Sequence, residues 1–177
     1  MRSSVRQQSS TRFRALPDVP GLGGAVAGLL AGVVMVLVSP LLSLLTGIGI
    51  WEPPKLIAAA APWYREAALE TPGFALEPVL TGTVIHFATS VVLGIIFGLI
   101  FHRLLHLTTS FGTPVLIGLI YGLVIFIVAY AVVLPAMNPM LRDSLLAPFV
   151  AQNMVFGACV GLFFMWLRPQ PYTERRR

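Results

Sequence analysis

The sequence predicts an all-α fold, an integral membrane bundle of four transmembrane helices with a short interfacial helix after the first. Three observations carry this. Hydrophobic residues make up 56% of the 177-residue chain and charged residues only 11%, where soluble domains carry about a quarter charged residues; mean hydropathy is +0.85. Four apolar runs are long enough, at about 1.5 Å per residue, to cross a hydrocarbon core of about 30 Å. Within them small residues recur at every fourth position, which stacks them on one helix face and lets helices approach closely in lipid.

The clearest run is VLTGTVIHFATSVVLGIIFGLIFHRLLH, residues 79–106. Every fourth residue gives Gly82, His86, Ser90, Gly94, Gly98, His102 and His106. The rest of the run is largely Val, Ile, Leu, Phe and Ala, with no charge between Val79 and Phe101. Such a helix packs its neighbours along the seam and turns the remaining faces to lipid.

Taken in order, residues 1–20 are polar, with Arg2, Arg6, Arg12 and Arg14, and read as a disordered cytoplasmic tail that fixes orientation. Residues 21–168 form the four-helix transmembrane domain. Its first span, residues 23–46, is too long for the apolar part of a signal peptide and reads as an uncleaved anchor. Gly24, Gly28 and Gly32 line one face of it, and Pro40 with Ser39 and Ser43 is expected to kink or loosen its outer part. In the loop that follows, WEPPKLIAAAAPWY (51–64) has Pro53 or Pro54 to open a helix and Pro62 to stop it. That stretch is far too short to span, so a helix at the interface is expected, anchored by Trp51, Trp63 and Tyr64. The second span, residues 79–101, returns to the starting side.

The third span starts at Pro114 and is expected to end near Leu134, before Pro135 and Pro139, with Gly118 and Gly122 four apart. The fourth, residues 148–167, carries Asn153, Gly157 and Gly161 at the same spacing. Residues 169–177 form a basic cytoplasmic tail.

The charges sort by side. The two tails and the 102–113 loop hold nine of the twelve Lys and Arg, with only Asp18 and Glu174. The other two loops hold Lys55, Arg65 and Arg142 against five acidic residues. On the positive-inside rule both termini are cytoplasmic. The net charge of +5 therefore reports topology and membrane lipids as partners; no basic–aromatic nucleic-acid signature accompanies it, so no nucleic acid is expected. The single cysteine, Cys159, gives neither a disulfide framework nor a cysteine metal site.

Four segments carry a resemblance: WEPPKLIAAA (51–60), VIHFATSVVLGIIFGLIFHRL (84–104), GLIYGLVIFIVAYAVV (118–133) and QNMVFGACVGLFF (152–164). Over residues 23–167 the chain resembles a group of short four-helix bacterial membrane proteins, some labelled sodium:proline symporters, and is similar to YagU-like inner-membrane proteins. The resemblance implies the four-span architecture and a bacterial inner-membrane location.

Polar groups within the spans gather at one level in the outer leaflet: His86, Thr83, Ser90, Tyr130, Gln152, Asn153, Ser39 and Ser43. His86 lies about 10 Å below the start of its helix by helix rise, with Ser90 one turn deeper. Asn153 lies at a similar depth, Tyr130 is one turn from the outer end of the third span, and Glu52 is the nearest carboxylate in sequence. One reading is an outward-facing polar pocket of His86, Ser90, Tyr130, Asn153 and Glu52, since intramembrane ionisable groups are functional candidates. The other is a set of interhelical hydrogen bonds, each worth about 0.6–2 kcal/mol. One histidine at this level supports neither bis-histidine haem nor a metal site, and no Ser/His/Asp set or phosphate loop is present. No cofactor, metal or catalytic group is expected, and the chain is not read as an enzyme. The glycines (Gly24, Gly28, Gly32, Gly82, Gly94, Gly98, Gly118, Gly122, Gly157 and Gly161) are assigned to helix packing. The favoured function is structural or accessory, with a membrane-protein partner or a second copy as the associate. The alternative is a small oligomeric transporter or channel using a pocket around His86 and Asn153.

Overall fold

The computed structural model describes residues 21–47, 49–61, 64, 72–105, 112–137 and 146–167. The tails at 1–20 and 168–177, together with Trp63 and His106, lie outside the described residues, as do the side chains of His102 and Arg103. Every regular element among the described residues is helical. Helix α1 is Leu22–Leu45, α2 is Glu52–Ala59 and α3 is Leu76–Leu99; α4 begins as Thr113–Val128 and α5 is Leu146–Leu167. Four helices are long and apolar enough to cross a membrane: Leu22–Leu45, Leu76–Leu99, Thr113–Ala136 and Pro148–Leu167.

Prolines explain where these boundaries depart from the sequence expectation. Pro78 falls inside the first turn of α3 rather than in the preceding loop, because the first backbone N–H groups of a helix have no intrahelical acceptor and a missing one costs little. The third span does not stop before Pro135. It passes through a widened π turn at Ala129–Val133, where the Leu134 N–H bonds the Ala129 carbonyl, and continues as Leu134–Met137. The wider turn relieves the clash between a proline ring and the preceding carbonyls that would end a regular helix. A second π turn, Ile100–Leu104, extends α3. Pro40 lies within α1 without ending it.

In space α4 packs on α5, α5 on α1, α1 on α3, and α3 on α2. Two of these contacts are made by glycine seams. A Cβ added at Gly28 would lie 2.8 Å from the Gly94 Cα, and one at Gly157 would lie 2.9 Å from the Gly122 Cα. Backbone therefore touches backbone, and no larger residue fits there without moving a helix. Between the two glycine-packed pairs lies an aromatic centre. Phe97, Phe101 and Phe164 pack with ring centroids 5.4–5.8 Å apart. Tyr121 joins Phe97 at 5.3 Å and donates its hydroxyl to the Leu93 carbonyl at 2.8 Å, tying α4 to α3. The outer faces carry exposed large apolar side chains, among them Leu37, Leu41 and Leu45 of α1, Leu80 and Val84 of α3, Ile120 and Ile127 of α4, and Trp166 of α5.

Candidate functional site

The site grows from the way α2 sits on α3. Glu52, Pro53 and Pro54 form the first turn of α2; the prolines supply the helical φ and lack only N–H groups that would be unpaired there. Glu52 sits favourably at the positive end of the helix dipole. Its Oε1 is 2.8 Å from the Nζ of Lys55, and Lys55 is 1% exposed while Glu52 is 29% exposed. The carboxylate thus reaches solvent while it neutralises a fully buried ammonium. Below the pair, α2 rests on Gly82, where an added Cβ would strike the Pro54 carbonyl. At the far end Ala58 and Ala59 are buried against Tyr64. Desolvation and the neighbouring Glu77 carboxylate, which accepts a hydrogen bond from the Tyr64 hydroxyl, hold the Tyr64 pKa above its ordinary 10.0. Trp51 meets Phe74 edge to face at 4.8 Å.

Because α2 crosses the first turns of α3 beside the last turns of α1, the three helices and the residues just before α2 border a half-open cavity of about 140 Å³. Its walls are mostly apolar, from Met35, Val36, Ile50, Trp51, Ile57 and Val79, with prolines 40, 53 and 54. Three polar side chains border it: Ser39, Thr83 and His86. Thr83 donates its hydroxyl proton to the Val79 carbonyl at 2.7 Å. His86 lies with Nε2 at 3.1 Å from the Gly32 carbonyl. A carbonyl can only accept, so that nitrogen carries the proton and joins α3 to α1.

Of the polar residues expected at one level, Ser39, Thr83 and His86 border the same cavity, whereas Ser90, Tyr130, Asn153 and Glu52 are not among its lining residues. Ser90 is buried in the α1–α3 contact, against the position a Gly32 Cβ would take. Tyr130 stacks on Phe126 at 5.5 Å in the π turn of the third span. Asn153 donates Nδ2 to the Phe149 carbonyl of its own helix at 2.8 Å, and its backbone carbonyl faces Gly122. Glu52, expected near His86, pairs with Lys55 instead, because the two lie three residues apart on one helix face. The glycines fall into three sets. Gly24, Gly28 and Gly32 face Ser90, Gly94 and Gly98; Gly118 and Gly122 face Asn153, Gly157 and Gly161; Gly82 faces Pro54.

Sequence reasoning missed the burial of Lys55. The available signal was a lysine directly after two prolines and followed by LIAAAA, with an acid three residues earlier. Among the described residues, no three His, Cys, Asp or Glu side chains are grouped to hold a metal, and Cys159 is a half-buried free thiol. Comparison of the chain with family models, curated proteins and solved structures finds no match.

Proposed function

We propose that the chain is an integral protein of a bacterial inner membrane, both termini cytoplasmic, with a structural or accessory role. Its outer loops and short interfacial helix would contact a membrane-protein partner or a second copy. The membrane reading is supported by four long apolar helices with exposed Leu, Ile, Val and Trp on their outer faces, where lipid replaces water as the favourable neighbour. The resemblance to short four-helix bacterial membrane proteins agrees with it.

One observation supports the accessory role over a conduction pathway: the polar groups of the spans are distributed among separate helix contacts. Tyr121 bonds Leu93, Asn153 bonds Phe149, and His86 meets Gly32. A small oligomeric transporter or channel is the second reading, supported by the cavity beside His86. Its other expected member, Asn153, is engaged at the α4–α5 contact.

The test is thermal stability and oligomeric mass of wild type beside His86→Ala in nanodiscs. The accessory reading expects the variant to melt earlier by the equivalent of about 1 kcal/mol, the loss of one interhelical hydrogen bond, or to lose its assembly. A variant as stable as wild type or more so would mean that His86 is kept at a cost for another task, and would favour transport.

A further inference from the structure

The cavity between α1, α2 and α3 has a chemical polarity of its own. Thr83 spends its hydroxyl hydrogen on the Val79 carbonyl, so its oxygen has only acceptor capacity left. His86, with Nε2–H directed at the Gly32 carbonyl, keeps Nδ1 as an acceptor in its neutral form. Pro40 has no N–H, so the Val36 carbonyl receives no helical bond from that position, and both residues border the cavity. Ser39 adds a hydroxyl, and the rest of the wall is apolar. The volume, about 140 Å³, is close to that of an engineered apolar cavity of about 150 Å³ that takes up benzene.

We infer that this cavity is a binding site for a small neutral molecule with an apolar, ring-sized body and one hydroxyl or N–H donor. The body fills the space between Ile57, Val79 and Trp51, and the donor bonds the acceptors at Thr83 and His86. This goes beyond the accessory role and does not depend on it. Trp51, the residue just before α2, stands at the wall beside the helix that Gly82 holds close.

The experiment uses the full chain in nanodiscs, titrated with phenol and, separately, with anisole, which has the same ring but no donor. Binding is read from Trp emission excited at 295 nm (~295 nm being selective for indole) and from the melting temperature. Ile57→Phe fills the cavity, and its nanodiscs also report simple partitioning of the probe into lipid. Val79→Phe serves the same purpose should Ile57→Phe fail to fold. The expected result is saturable phenol binding to wild type that the cavity-filling variant lacks. Phenol should bind about fivefold more tightly than anisole, the factor one net hydrogen bond supplies, and the isosteric Thr83→Val should narrow that gap. Equal responses from wild type and the filled variant would overturn the site. Equal binding of phenol and anisole to wild type would overturn the donor requirement.

Discussion

The environment of Lys55 shows how one residue can be decided by its neighbours. A buried ammonium is tolerable only when its charge is met, and Glu52 meets it at 2.8 Å while remaining partly open to solvent. Removing the carboxylate's charge while keeping its shape therefore has a cost that surface ion pairs lack. Glu52→Gln is expected to lower stability by about 2 kcal/mol, between the value of a charge-assisted hydrogen bond and the loss of a whole buried pair. A chemical or thermal melt in nanodiscs reads this directly. A change below about 0.5 kcal/mol, the range of an ordinary surface substitution, would show that the pair does not hold α2 in place.

At the scale of elements, the glycine seams set how close the helices lie. The approach of α1 to α3 leaves no room for a methyl group at Gly28, because what it would meet is backbone, which cannot rotate away. Gly28→Ala is expected to destabilise the protein by about 1–3 kcal/mol, the usual cost of overpacking, even though alanine is the better helix former. Gly49→Ala is the control: there a Cβ would meet only the Glu52 side chain, at 3.5 Å. It should change stability by less than about 0.5 kcal/mol. Comparable losses in the two variants, measured by the same melt, would remove the seam from the account of the α1–α3 contact. The same reasoning applies to Gly82, whose missing side chain lets α2 rest on α3 and so shapes the cavity.

At the scale of the molecule, two glycine-packed helix pairs, α1 with α3 and α4 with α5, are joined by the α1–α5 contact and the aromatic centre around Phe97. The faces left over are apolar, and in the sequence nine of the twelve Lys and Arg fall in the two tails and the 102–113 segment, against three in the other two loops. Both termini are therefore expected on the cytoplasmic side. Single cysteines placed at Ser4 and at Glu70, in a Cys159→Ala background, test this with a membrane-impermeant thiol reagent on intact cells. The residue 70 cysteine should be labelled from outside and the residue 4 cysteine only after lysis. The reverse pattern would invert the topology and put the cavity on the cytoplasmic side.

The sequence by itself determined the four long apolar helices, their approximate limits and the faces on which small residues lie. Length, hydropathy and a four-residue spacing are local properties, readable along one helix without knowing what it packs against. Helix limits at Pro78 and Pro135 were less legible, since whether a proline ends a helix depends on its place in the first turn or on a widened turn before it. Only the tertiary structure decided which seams meet, that Glu52 pairs with Lys55 rather than His86, and that His86 borders a cavity without Tyr130 or Asn153. Spacing along a helix fixes which residues share a face. The facing partner depends on crossing, depth and rotation of separate helices, and these emerge only when whole surfaces are packed against one another.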